Sequence, residues 1–188
     1  VVVPGNATGN VTIKLGDDTF NAAVVDGVAT VTLGNVTPGT HEIEVVYSGD
    51  GNHTNATLKS EITVPKLTPS VSISVDDIKV GDAALINVTL PGDAKGNVTV
   101  EIDGNAYTPY EFKDGVARFK VENLTSGIKT VAVRYSGDNN YTDAFDTANF
   151  TVSKRQSSID VTVNATTVGN DVIINVTIPS NATGYVIV

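Results

Sequence analysis

The sequence predicts an all-β chain of tandem antiparallel β-sandwich repeats, each about 88 residues long. Three observations predict it. Short strings of residues return at a fixed spacing, apolar and polar side chains alternate with a period of two, and the apolar residues are mostly Val, Ile and Ala beside many Thr.

The repeat is the strongest of the three. Tyr47-Ser48-Gly49-Asp50 returns as Tyr135-Ser136-Gly137-Asp138, and Asp26-Gly27-Val28-Ala29 returns as Asp114-Gly115-Val116-Ala117, both 88 residues on. Asn35-Val36-Thr37-Pro38-Gly39 is echoed by Asn123-Leu124-Thr125-Ser126-Gly127. Pro4, Pro91 and Pro179 each precede a similar strand start, so the pattern has three copies. Lys66 and Lys154 lie one period apart and mark the boundaries, which divides the chain into residues 1–65, 66–153 and 154–188. Only the middle repeat is expected to be complete. Val1 aligns with Val88, so the first repeat lacks its opening strands, and the third carries its first strands only. Residues 1–13 and 176–188 cover the same stretch, as in a window cut from a longer array; the alternative is a chain whose open ends are completed by strands of its neighbour.

In the middle repeat the two-residue alternation marks seven strands, at 69–75, 82–90, 96–103, 106–112, 114–122, 129–136 and 143–153. Along the sixth, Val131, Val133 and Tyr135 point inward and Thr130, Ala132 and Arg134 outward; Ile43, Val45 and Tyr47 match them in the first repeat. Asp103-Gly104 and Asp114-Gly115 have the composition of tight hairpin turns, where glycine supplies a positive φ. Seven short strands with turns every eight to twelve residues suit a two-sheet sandwich better than a barrel or propeller. The loop opposite the third strand differs between copies, with Asp17-Asp18-Thr19-Phe20 in place of Asn105-Ala106-Tyr107-Thr108.

Composition excludes several functions. With no Cys, there is no disulfide, thiolate metal site or Cys nucleophile. A net charge of -9 with only 12 Lys and Arg opposes binding to nucleic acid or anionic lipid. No apolar run exceeds four residues, so this segment inserts in no membrane.

The stretch from Asn123 through Gly127 to Tyr135-Ser136-Gly137-Asp138-Asn139-Asn140-Tyr141 resembles the bacterial Ig-like (group 3) repeats of cell-surface adhesins. The first copy departs only at His53, in place of the last Tyr. The abundance of Asn-x-Thr is most similar to the adhesin-like proteins of methanogenic archaea. The resemblance implies Ig-like sandwiches, adhesion or wall-associated structure, and no catalytic residues. The Cys and Trp that mark many immunoglobulin domains are absent, so strand topology stays open.

Thirteen of the seventeen Asn residues begin an Asn-x-Thr sequon: Asn6, Asn10, Asn35, Asn52, Asn55, Asn87, Asn97, Asn123, Asn140, Asn149, Asn164, Asn175 and Asn181. Chance would give roughly three, which points to N-linked glycans and an extracellular location. The alternative is that Asn and Thr merely suit turns and outward strand positions. Mid-strand sites such as Asn87 need an outward side chain, and Pro38 directly after its sequon makes Asn35 the weakest acceptor. No cofactor is expected. The loop Asp138, Asn139, Asn140 and Asp143 has oxygen ligands for Ca²⁺, but its counterpart Asp50-Gly51-Asn52-His53 does not preserve them. A Lys–Asn isopeptide staple is disfavoured, because Lys79, Lys120 and Asn149 occupy polar positions. His41 and His53 are the only His residues, and Asp76, Asp77, Glu101 and Glu111 read as a solvated surface.

The expectation is therefore a non-enzymatic stalk or adhesin segment of a cell-surface glycoprotein, whose partners are neighbouring repeats and a cell-borne protein or glycan. The alternatives are a filament subunit assembled by strand exchange and repeats that bind a ligand through their own loops.

Overall fold

The computed structural model describes residues 1–180 and 182–187, and among them every regular element is a β-strand. Residues 1–65 contain β1 (Asn10–Leu15), β2 (Asp18–Ala23), β3 (Gly39–Tyr47) and β4 (Ala56–Val64), one antiparallel sheet in the order β2-β1-β3-β4. Residues 66–153 contain β5 (Ser72–Val75), β6 (Ile78–Lys79), β7 (Ala84–Thr89), β8 (Val98–Ile102), β9 (Asn105–Tyr107), β10 (Glu111–Lys113), β11 (Val116–Val121), β12 (Gly127–Tyr135) and β13 (Ala144–Ser153). They form two sheets, β10-β11-β7-β5 and β6-β13-β12-β8-β9. A last antiparallel pair joins β14 (Asp160–Val163) and β15 (Ile174–Thr177).

The two sheets of residues 66–153 enclose one apolar core. Ala84, Ile86 and Val88 of β7 and Ala117, Phe119 and Val121 of β11 come from one sheet; Val98, Val100, Val131, Val133, Tyr135, Phe150 and Val152 come from the other. Alternation along each strand turns one side chain in and the next out, so β7 reads buried, exposed, buried throughout. The connectivity is that of an immunoglobulin sandwich. The opening strand pairs with β7 as β5, then crosses to the other sheet as β6 and pairs in parallel with the last strand, β13. The topology left open by the sequence is thus settled by hydrogen bonding.

Nine segments replace the seven expected strands. The run expected at 106–112 is divided: β9 pairs with β8 in one sheet and β10 with β11 in the other. Pro109 lies at the crossing, where its missing N–H costs no ladder bond. Likewise β6 continues the first strand beyond 75 into the opposite sheet.

Asp103-Gly104 and Asp114-Gly115 have positive φ at both residues (51 and 78°, 50 and 76°), the pattern of type I′ hairpin turns. At the position of the first of these, residues 1–65 use Gly16-Asp17 with only Gly16 positive (58°), the type II′ pattern. Register corrects the alignment of this hairpin by one residue. Phe20 lies opposite Ile13 as Tyr107 lies opposite Val100, so Phe20 matches Tyr107, and the extra residue of the second copy falls in the stretch around Pro109.

The first sheet has a thinner core, formed by Ala7, Val11, Val24, Ala29, Val45 and Tyr47. Ile13, Ile43 and Ile62 are only half-buried, where their counterparts Val100, Val131 and Phe150 are buried. The cause lies on the facing side. Residues 29–33, the counterparts of most of β11, form no strand, and on the side where β7 lies in the second unit a single bridge, Val2 to Val28, stands at the place where Thr89 pairs with Val116.

Core position decides the cost of truncation. Phe119→Ala is expected to destabilise by about 3–5 kcal/mol, measured by urea unfolding followed by circular dichroism. Val31→Ala, at the half-buried equivalent site, is expected to cost about 1 kcal/mol.

Candidate functional site

The surface that carries the sequons is built by the same alternation. The described acceptor side chains, Asn6, Asn10, Asn35, Asn52, Asn55, Asn87, Asn97, Asn123, Asn140, Asn149, Asn164 and Asn175, are all exposed; Asn181 lies outside the described residues. In seven of these sequons the middle residue is buried: Ala7, Val11, Val88, Val98, Leu124, Tyr141 and Phe150. An inward middle residue turns both Asn and Thr outward. Asn87 sits mid-sheet on the outer face between Ser74 and Arg118, and Asn149 on the outer face of the other sheet beside Thr130. Asn35 and Asn123 are turn residues with φ of 56 and 60°, the left-handed region that Asn tolerates better than most residues. Asn35 and Asn140 line a cleft of about 420 Å³ between the first sheet and the second unit, beside Pro38, Leu67 and Tyr141.

The repeated Tyr-Ser-Gly-Asp loop is a hydrogen-bond knot. Asp138 Oδ2 accepts from the Tyr135 hydroxyl (2.7 Å) and the Lys95 N–H (2.7 Å), and Oδ1 accepts from the N–H groups of Asn140 (2.8 Å) and Tyr141 (2.9 Å). Asp50 repeats this with the Tyr47 hydroxyl (3.0 Å) and the N–H groups of Thr8 (2.6 Å), Asn52 (2.8 Å) and His53 (2.8 Å). Each carboxylate thus ties the end of a long strand to the segment entering the strand beside it. The glycines of the knot are required by space. A Cβ on Gly137 would meet the Asp143 nitrogen at 2.8 Å, and one on Gly96 would overlap the Gly137 carbonyl oxygen.

The charges follow from this wiring. The Lys95 N–H is the first cause that holds Asp138 well below the ordinary value of 3.8, with the Tyr135 hydroxyl next; the Thr8 N–H leads for Asp50. Burial raises the Tyr47 and Tyr135 hydroxyls. A coordinated substitution also appears: Tyr141 donates to Asp93 Oδ1 (2.8 Å), and in the first copy His53 and Asn6 replace that pair, His53 Nδ1 lying instead 2.9 Å from Asp50 Oδ1.

For the calcium loop considered from sequence, both Asp138 oxygens are turned onto these four protein donors. Asp138, Asn139 and Asn140 share a depression with Asp93 and Lys95, and Asp143 is not among its lining residues. Of the isopeptide residues, Lys120 pairs with Glu122 at the surface, Lys79 is exposed, and Asn149 accepts from the Thr130 hydroxyl. The buried lysine is another one. Lys129, 6% exposed, donates to Asp103 Oδ2 and Thr125 Oγ1. Its signal lay in the alternation, because it has the same parity as Val131 and Val133. The corresponding residues of the first copy are His41 and Gly16, so lysine and aspartate change together, and His41 Nε2 turns to the Thr37 carbonyl (2.7 Å). Glu111 pairs with Arg118 at 3.0 Å, and Asp77 accepts from the Thr151 N–H at 2.6 Å; neither forms a cluster with Asp76 or Glu101 in any depression described.

Residues 1–65, about a third of the chain, match the family model described as Bacterial Ig-like domain (group 3). Such domains are commonly found in surface or extracellular proteins and are typically structural, not catalytic. No curated protein matches the chain. Among solved structures, the fibronectin(III)-like modules of Clostridium thermocellum CbhA are 14% identical over 82% of this chain and 83% of theirs, with a TM-score of 0.38. Dimeric latent PorU from Porphyromonas gingivalis is 13% identical over 93% of this chain and 23% of its own, with a TM-score of 0.35. No helix among the described residues is long and apolar enough to cross a membrane.

The Asp knots predict acid-sensitive stability. A carboxyl whose pKa is lower in the folded than in the unfolded state contributes stability that is complete above the unfolded value and is lost as pH falls through the folded one. From the ordinary value of 3.8, resistance to urea is expected to stay level down to about pH 5 and to fall steadily below it. Asp50→Asn combined with Asp138→Asn should lower stability at neutral pH and flatten the acid slope. A double variant with the parent's slope would show that the stability lost in acid lies elsewhere.

Proposed function

We propose that the chain is a non-catalytic structural segment of an extracellular surface protein, in which Ig-like units of residues 1–65, 66–153 and 154–188 succeed one another beneath a coat of N-linked glycans. The observation that carries this reading is the exposure of every described sequon asparagine, on the outer faces of both sheets and in the turns. Glycans at Asn87 and Asn149 would cover opposite faces of one sandwich, and those at Asn35 and Asn140 would flank the cleft between units. A unit whose strands run about nine residues adds roughly 30 Å of length. That is the geometry of a spacer that carries a binding end away from the cell, as in an adhesin stalk. The alternative, ligand binding by the repeats themselves, is supported only by the difference between their third-strand hairpins, at Gly16-Asp17 and Asp103-Gly104.

One observation favours exchange of strands between chains as a second reading. The β14–β15 pair sets Asp160 opposite Thr177 and Val163 opposite Ile174, the register of β5 and β7 moved by 88 residues. Its Val161, Val163 and Ile174, the counterparts of the core-facing Ile73, Val75 and Ile86, are exposed.

Glycan occupancy is read by mass spectrometry of peptides from the protein of its native host. Peptides containing Asn10, Asn97 and Asn123 are expected to change mass on glycosidase treatment; three unshifted peptides would sink the coat. For exchange, sedimentation velocity should reveal a concentration-dependent ladder that Ile174→Lys abolishes, whereas a single monomeric species at all concentrations removes that reading.

A further inference from the structure

The first and last segments of the 66–153 unit run side by side in the same direction. At one end Leu67 bridges Tyr141 in parallel: the Leu67 N–H donates to the Asn140 carbonyl (2.8 Å) and the Thr142 N–H to the Leu67 carbonyl (2.9 Å). At the other end β6 pairs in parallel with β13, and the Val80 N–H donates to the Ser153 carbonyl (2.9 Å). Side chains extend this seam. Asp77 Oδ1 accepts from the Thr151 N–H (2.6 Å), and Arg155 donates through Nε to the Val80 carbonyl (2.8 Å) and through Nη2 to Asp82 Oδ1 (2.6 Å).

Tension along the chain pulls the segment before Leu67 one way and the segment after Ser153 the other. Since the two segments are parallel neighbours, the pull slides them past each other and loads the hydrogen bonds of the seam together. A hairpin pulled at its open end, by contrast, yields one bond at a time. Bonds that share a load must break nearly at once, which raises the barrier to forced unfolding. Arg155 matters because it lies on the outgoing chain. Its two bonds reach back to the loop after β6 and carry force across the exit of the unit.

We propose that the 66–153 unit is a tension-bearing module whose resistance resides in this parallel seam. The proposal rests on the structural reading above and adds a mechanical task to it. The first sheet differs in a way that sets an internal comparison. Among the described residues β4 pairs only with β3, and Val1 and Val3 bond to Ala29 and Gly27 instead of to β4.

Single-molecule force spectroscopy on the full, unglycosylated chain tethered at both ends tests the proposal independently of glycan occupancy. Unfolding of the second unit is recognised by the release of 88 residues of chain, at about 3.6 Å each. That event is expected to be the stronger one, after residues 1–65 have yielded. Asp77→Ala, which removes one charge-assisted bond of the seam, and Arg155→Ala, which removes two, should each raise its unfolding rate at fixed force at least about tenfold. Their stability to urea should fall by about that same tenfold, roughly 1.4 kcal/mol, since these bonds are lost on unfolding by either route. Arg118→Ala, which removes a surface ion pair away from the seam, should change neither quantity. The proposal is overturned if both seam variants unfold under force at the parent rate, if Arg118→Ala accelerates unfolding as much as they do, or if residues 1–65 resist as strongly as the second unit.

Discussion

A strand buried on one face must keep that face dry, and this single constraint organises most of the molecule. In residues 66–153 every long strand meets it with alternate residues, and two sheets turned face to face bury Phe119, Tyr135, Ile86 and their neighbours. The same rule produces the sequon surface. Where Asn-x-Thr lies on such a strand, burying the middle residue forces the acceptor and its hydroxyl partner outward, as at Asn87, Asn97 and Asn149. The core pattern and the proposed glycan coat are therefore two faces of one alternation. This is also why sequons can be so dense without disturbing the fold.

A second level of order comes from carboxylates used as ties between loops. Asp50 and Asp138 each collect one tyrosine hydroxyl and three backbone N–H groups, so one side chain pins a strand end, a turn and the segment beside it. The tie satisfies N–H groups that the sheets leave unpaired, which is a requirement for any partly buried loop. Around it the two copies drift in linked steps. Tyr141 with Asp93 becomes His53 with Asn6, and Lys129 with Asp103 becomes His41 with Gly16. Both members of each pair differ together; for Lys129 this means that, among the described residues, a buried ammonium is nowhere present without its carboxylate.

The two units also separate packing from connectivity. They share strand register and the loop knot, yet the first is half-open, because a sheet cannot bury its inner face without a facing sheet. Residues 29–33 have the composition of a strand and form none, since little lies beside them to accept their hydrogen bonds. Strand formation here depends on the neighbour more than on local preference.

The sequence by itself determined the all-β class, the inward and outward faces of the sixth strand, the Asp-Gly turns and the outward direction of Asn87. These depend on residues close in the chain, through a two-residue period and a positive φ. It did not disclose that 106–112 divides between sheets, that the opening strand crosses to pair in parallel with the last, that Lys129 is buried against Asp103, or that Asp138 is filled by protein donors. Each of these joins residues far apart in the chain, such as Asp77 to Thr151 or Lys95 to Asp138. Only the tertiary structure brings them together, because hydrogen-bond partners across a sandwich are chosen by the stacking of sheets and leave no local period in the sequence.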